Sequence, residues 1–371
     1  MLITGFLRSG TSLLEKYLHN HPQLVIASQP FPFLYYRLKE AFYAELGRKA
    51  PRYPLGHLFG ERLYRRAQFL DFVTRFQMTS EQVDEVMRSM KGYSGQLTPE
   101  LIEVARPSGT LVDIFRGFAS HYPNLLHKTE AQFGGSKEVF CEEYIPYFLD
   151  MEVPCVLIIR DPRAVVASIH CGKGESYANA SLTVLYILRG WRKSVAYAIQ
   201  HAEHPRFHWI GFEQLTTSPI SALQALVKDI GLTPFPEEVF DKPLRAQDGS
   251  EWQGNSSFGR PESNGPRYRQ FLDAETIAFI EAVCGPEMDW LGLSRQAQLP
   301  AGTIETFSDP FQPGRPALSE EDRKMELERL ELIAHAGELS SDEAEREAWF
   351  IFPSVETELR KAWRTEGSMN G

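Results

Sequence analysis

Gly5-Phe6-Leu7-Arg8-Ser9-Gly10-Thr11-Ser12 is the stretch from which the rest of the chain is best read. Leu2-Ile3-Thr4-Gly5-Phe6 has the apolar character of a short buried strand. On the other side, Leu13-Leu14-Glu15-Lys16-Tyr17-Leu18 repeats apolar residues at helical spacing until His21-Pro22 ends the run. A glycine-rich turn from strand into helix aims backbone N–H groups and a helix N-terminus at one spot, which is an environment for an anion. Both glycines keep the spacing of the nucleoside-triphosphate loop GxxxxGK[ST], and Ser12 takes its hydroxyl position. Thr11 stands where that loop has its lysine, so ATP chemistry loses the cation that reaches the β- and γ-phosphates. Arg8, Ser9, Gly10, Thr11 and Ser12 instead suit a shorter anion held by hydroxyls, amides and one guanidinium. A Ser/Gly turn that merely caps a helix is the plainer reading, and this stretch alone leaves it open.

Outward from the loop, strands and helices alternate. Leu24–Ala27 reads as a strand, residues 33–120 as mostly helical, and Val153–Ile159 as the best core strand. Arg163–His170 and Thr183–His201 read as helices, Phe207–Gly211 as a strand and Ser221–Ile230 as a helix. The unbroken apolar run of Val153–Ile159 suits a parallel strand covered on both faces, and the alternation implies an α/β fold. The expected architecture is a P-loop-like three-layer fold with a central parallel sheet, a helical insert at 33–120 and an extra helical C-terminal tail. Its expected division is a domain 1–300 and an acidic extension 301–371. Pro300, Pro310, Pro313 and Pro316 mark a linker there; Ser319-Glu320-Glu321-Asp322 and Ser340-Ser341-Asp342-Glu343 have the form of helix caps.

A second segment, Arg160-Asp161-Pro162-Arg163, follows the core strand at the end where open α/β sheets place their ligands. Ser168 lies about two turns into the next helix, so its hydroxyl can join Arg160 around one phosphate. An Arg–Asp pair at a helix start is the competing account.

Composition excludes several classes. The 371 residues hold 39 Lys+Arg against 49 Asp+Glu, a net charge of −10, which disfavours nucleic acid and anionic membranes as partners. Residues 301–371 carry 8 Lys+Arg and 16 Asp+Glu, so −8 of that charge belongs to them and −2 to residues 1–300. Cys141, Cys155, Cys171 and Cys284 are too scattered for a disulfide scaffold or a zinc site. No apolar run reaches the roughly 18–20 residues of a membrane span. Met1 leads straight into a strand rather than a basic-then-apolar leader, so the expected compartment is cytoplasmic.

Taken together, the two anion segments resemble the nucleotide signatures of sulfotransferases that use 3′-phosphoadenosine 5′-phosphosulfate (PAPS). In that family an R/K-S-G-T-[ST] loop takes the 5′-phosphosulfate, and R-[DN]-P-R-x-x-x-x-S takes the 3′-phosphate. Tyr17-Leu18-His19-Asn20-His21-Pro22, Gly211-Phe212-Glu213-Gln214-Leu215 and Trp252-Gln253-Gly254-Asn255-Ser256-Ser257-Phe258 are similar to further family stretches. The likeness spans about residues 1–295, and 301–371 has no counterpart in it. It implies in-line, metal-independent transfer of a sulfuryl group from PAPS to a hydroxyl or amine of an organic acceptor, releasing adenosine 3′,5′-bisphosphate. Arg8 to Ser12, Arg160, Ser168 and Gly254, Asn255, Ser256 and Ser257 would bind the nucleotide.

Lys137, in Gly134-Gly135-Ser136-Lys137, falls near the family's catalytic lysine, the alternative being a solvated loop lysine. The general base has no direct match. Gln29 stands where the protein-tyrosine branch has its glutamate, and a glutamine cannot take a proton, although it can orient an acceptor. No histidine follows Lys137 as in the small-molecule branch, which leaves Glu138, Glu142, His127, Glu40 and His57 as candidates. Insert aromatics such as Phe31, Tyr35, Phe42, Phe59, Phe69 and Phe72 read as core, or as the lining of a pocket for an acceptor. That acceptor would be an alcohol, phenol, lipid, glycan or carrier-bound acyl chain. The tail is expected to pack on the body, with a dimer contact as a further option. Two other functions stay open: a kinase or hydrolase on the same loop, and a non-catalytic protein that binds a nucleotide or a partner.

Overall fold

Five strands collect the apolar runs: β1 (Leu2–Thr4), β2 (Leu24–Ser28), β3 (Phe133–Lys137), β4 (Cys155–Ile159) and β5 (Phe207–Gly211). In this computed structural model, which describes residues 1–51, 55, 64–89, 97–172, 182–254, 267–296, 299–335 and 343–367, they form one parallel sheet in the order β2-β3-β1-β4-β5. Every residue of β1 and β4 is buried, as a sheet covered on both faces requires. Leu14 and Leu18 of the helix Thr11–His19 pack with Ile3, Ile26 and Ile158 in the core on one side. The chain leaves β1 toward the β2 edge and leaves β4 toward β5. The carboxyl ends of β1 and β4 are therefore the switch point at which such sheets bind ligands.

β3, which includes Gly134-Gly135-Ser136-Lys137, is not among the strands that the apolar pattern of the sequence announces. Glycine is a poor strand former, but here a side chain would not fit. A Cβ at Gly134 would lie 2.9 Å from Ala119 O, and one at Gly135 would lie 2.8 Å from Ile26 Cδ1 and 2.9 Å from Met1 O. Close packing of the neighbours, not propensity, makes this strand.

The insert is helical as expected, with helices Pro32–Glu45, Arg66–Arg75, Ser80–Ser89, Thr98–Val104 and Leu111–Ala119. Its aromatics mostly form core: Phe42 lies 5.0 Å from Tyr64, 5.1 Å from Phe69 and 5.3 Å from Phe72, ring to ring. Phe31 and Tyr35 are buried as well, and Phe59 lies outside the described residues.

Two compact units divide the chain, one from Met1–His57, Tyr64–Ile159 and Ala202–Asn255, the other mainly from Arg160–His201 and Ser256–Gly371. The sheet and insert belong to the first. In the second, the helices Pro162–His170 and Val184–His201 join the tail helices Glu320–Ala334 and Pro353–Gly367. The proline-marked stretch is packed rather than a free linker. Phe307 stacks on Phe279 at 3.7 Å, and buried Asp309 accepts from the Val184 N–H at 2.7 Å. Ser319 caps its helix by accepting from Asp322 N at 3.0 Å, while Ser340-Ser341-Asp342 lies outside the described residues. No helix among the described residues is long and apolar enough to cross a membrane.

Candidate functional site

The loop between β1 and the helix Thr11–His19 is shaped by its glycines. A Cβ at Gly5 would lie 2.6 Å from Ile158 O; Gly10 has φ 97°, and a Cβ there would strike the Phe212 ring at 2.3 Å. Only glycine meets both demands at position 10. Arg8 also adopts a positive φ, 62°, and Ser9 N–H closes the turn on Phe6 O at 3.2 Å. Leu13 and Leu14 N–H donate to Gly10 O, and no side chain caps the helix. Ser9 Oγ is buried without a hydrogen-bond partner among the described residues. A buried hydroxyl in that state, an uncapped helix start and a neighbouring arginine together fit an anion with several oxygens.

Lys137 ends β3, in register with Ile3 of β1 and Ser28 of β2, so its side chain leaves the sheet beside the loop's own strand. It is 2% exposed, which excludes the solvated loop lysine. Its Nζ donates to Gln29 Oε1 at 3.1 Å and lies 3.9 Å from Glu15 Oε2. Gln29, held at φ 45°, returns its own N–H to Lys137 O at 2.8 Å, so the structure brings these two predicted residues together. Burial lowers the Lys137 pKa and nearby Lys16 adds to this, while Glu15 and Glu138 oppose it.

Three members of this cluster escaped the sequence reading. Glu15, fully buried on the loop's helix, accepts through Oε1 from Lys16 Nζ at 2.7 Å and from Gln247 Nε2. Gln247 also donates to Ile26 O at 3.1 Å, and its Oε1 accepts from Lys16. Adjacent Glu and Lys on a helix ordinarily signal a solvated face, and nothing local announces that residue 247 covers them.

The base candidates are dispersed. Glu138 is 0% exposed; Phe31 N–H donates to its Oε1 at 3.1 Å, its Oε2 has no hydrogen-bond partner among the described residues, and burial raises its pKa to about 8. As the residue after Lys137 it faces Phe31 and the insert, not Lys137's partners Glu15 and Gln29. Glu142 is buried in the short turn Glu142–Tyr144, and Glu40 pairs with Arg37 at 2.8 Å. His127 is exposed in the connection before β3, at the opposite end of that strand from Lys137. His57 lies outside the described residues.

In the second unit, Arg160 follows β4 directly in sequence, and its carbonyl accepts from Trp191 Nε1 at 2.7 Å. Asp161 caps the helix Pro162–His170 by accepting from Arg163 N at 2.9 Å. The Arg–Asp pair expected as the competing account is formed by Arg163 with Asp161, at 2.7 Å. Arg163 also binds Glu281 and Ser294 O, and its guanidinium lies 4.6 Å over the Tyr268 ring, so it is a structural residue, not an anion ligand. Ser168 is buried on the same helix. Of the late glycine segment, Gly254 has φ 77°, and Asn255, Ser256 and Ser257 lie outside the described residues.

A model described as "Sulfotransferase family" matches residues 1–237. No curated protein matches the chain. Among solved structures, the sulfotransferase domain of the Synechococcus PCC 7002 olefin synthase is 16% identical, with 82% of this chain and 91% of that one covered at a TM-score of 0.35. The sulfotransferase domain from the curacin biosynthetic pathway is 14% identical, with 82% and 94% covered at 0.35. Retinol dehydratase, solved with androsterone and the inactive cofactor PAP, is 12% identical, with 81% and 82% covered at 0.38.

Proposed function

The chain therefore belongs to the sulfotransferase family, and from that premise we propose that it transfers a sulfuryl group from PAPS to a hydroxyl or amine of an organic acceptor. The donor supplies an activated sulfuryl group whose in-line transfer builds charge on the oxygens and needs positioning more than covalent help. Arg8, the hydroxyls of Ser9, Thr11 and Ser12, and the loop's N–H groups hold the 5′-phosphosulfate. Arg160 and Ser168 take the 3′-phosphate, and Gly254, Asn255, Ser256 and Ser257 complete the nucleotide contacts. Lys137 sets positive charge against the departing oxygen, and Gln29, tied to Lys137, orients the acceptor. The proposal assigns charge neutralisation to these side chains, with no metal ion.

The observation that carries this reading is Lys137: an ammonium 2% exposed, at the carboxyl end of a strand adjacent to β1, against the helix that the loop opens. Calorimetry with adenosine 3′,5′-bisphosphate, AMP and ATP–Mg²⁺ tests it. The bisphosphate is expected to bind tightest. Arg160→Ala should then weaken the bisphosphate about tenfold or more and leave AMP nearly unchanged, since only the former has a 3′-phosphate. Selective binding of ATP–Mg²⁺, or no binding of the bisphosphate, would overturn the reading.

A further inference from the structure

We propose that Glu15 is the positioning residue for Lys137, fixing its place and its charge, and that Gln247 in turn fixes Glu15; this rests on the role proposed above for Lys137. Among the described residues, Glu15 and Lys16 of the loop's helix, Gln29 just after β2 and Glu138 just after β3 act on the Lys137 ammonium. Of these, Gln29 is neutral and Lys16 repels. Glu138 is turned toward Phe31, and burial keeps it protonated up to a pH of about 8. Glu15 is thus the carboxylate set against Lys137, at 3.9 Å and without exposure to water, and the strongest influence opposing the effect of burial on that ammonium.

Its geometry is that of a held group, not of a proton acceptor. One oxygen, Oε1, is occupied by Lys16 and Gln247; the other, Oε2, points to Lys137 and has no hydrogen bond among the described residues. Gln247 closes the arrangement from 232 residues away in sequence and is itself anchored on Ile26 O. An amide suits that place, because it donates to the carboxylate and accepts from Lys16 without adding charge. A carboxylate about 4 Å from a buried ammonium favours its protonated form. Losing Glu15 lets burial and Lys16 pull the Lys137 proton off at lower pH.

The test is Glu15→Gln in the full chain, read in two ways. The first is the pH titration of the Lys137 side chain by NMR with isotope-labelled lysine, assigned through Lys137→Arg. The second is the pH profile of turnover and the KM for PAPS. The Lys137 midpoint and the alkaline limb of turnover are expected to move down together by about one pH unit or more. Turnover above the new midpoint should fall about tenfold, and the KM for PAPS should change less than about threefold. Gln247→Leu should move the midpoint the same way by less, and it decides the matter if Glu15→Gln does not fold. An unmoved midpoint overturns the proposal, as does a loss of turnover equal at every pH. A moved midpoint in a protein that transfers no sulfuryl group supports the Glu15–Lys137 link and overturns the sulfotransferase reading of Lys137 instead.

Discussion

Each compact unit buries a cluster of charges, and the two clusters are built on opposite terms. In the second unit Arg189, Arg192 and Arg329 meet Asp322, Glu326 and Glu287. Arg189 Nε and Arg192 Nη1 bind Glu326 at 2.9 and 2.6 Å, Arg189 Nη1 binds Asp322 at 2.8 Å, and Arg329 pairs with Glu287. Three guanidiniums answer three carboxylates, and a guanidinium keeps its proton at any working pH. In the first unit Lys16 and Lys137 share Glu15, with the amides of Gln29 and Gln247 filling the remaining places. Two ammoniums answer one carboxylate, and a buried ammonium can be made to titrate. The balanced cluster fastens the tail helix Glu320–Ala334 to the helix Val184–His201; the unbalanced one leaves positive charge beside a loop shaped for an anion. The difference teaches that burial of charge alone does not mark a site, whereas buried charge with an unmet sign does.

The largest effect that bears on this contrast is Glu326→Gln. It removes the carboxylate that binds both Arg189 and Arg192 and leaves Arg189 with Asp322, and breaking a buried pair in this way costs about 3–5 kcal/mol. Denaturant unfolding should show that loss, while turnover per folded molecule stays unchanged. Lys137→Ala is expected to do the reverse: turnover falls about 10²–10³-fold, as for loss of one group that stabilises developing charge, with little change in unfolding free energy. Equal losses of stability in the two variants would erase the distinction.

A smaller effect sharpens it. The first cluster is unbalanced only if Glu138, next to Lys137, is neutral. Its carboxyl is raised by burial from 4.5 to about 8, so between those values the folded chain keeps a proton that the unfolded chain has lost. Stability contributed by Glu138 therefore falls as pH rises through that window, by up to about 1.4 kcal/mol per pH unit. Glu138→Gln should flatten that slope in unfolding curves taken at several pH values. A slope that persists unchanged would mean that Glu138 is ionised and the first cluster is balanced as well.

What the sequence disclosed follows from how local each signal is. β4 was legible because Cys155-Val156-Leu157-Ile158-Ile159 is apolar throughout, and the loop because its glycines and hydroxyls lie within eight residues. β3 was not, since Gly134 and Gly135 are chosen by the closeness of Ala119, Ile26 and Met1, which only the fold brings near. The role of Arg163 is not legible locally either, because its partners Glu281 and Ser294 lie more than a hundred residues on. Lys137 and Gln29 could be placed by resemblance, but Glu15 could not, because its meaning depends on Gln247.

That dependence on Gln247 has a consequence in time. Synthesis runs from the amino end, and elements that pack with earlier ones can fold as they emerge. All five strands and the loop are present once Gly211 has been added, so the sheet has what it needs well before Gln247 exists. Glu15 and Lys16 must wait for that amide, so a nascent chain halted between the two positions lacks the group that donates to Glu15 and accepts from Lys16. The cluster around Glu15 is then completed not by the pairing of a strand but by a single glutamine made after the last strand.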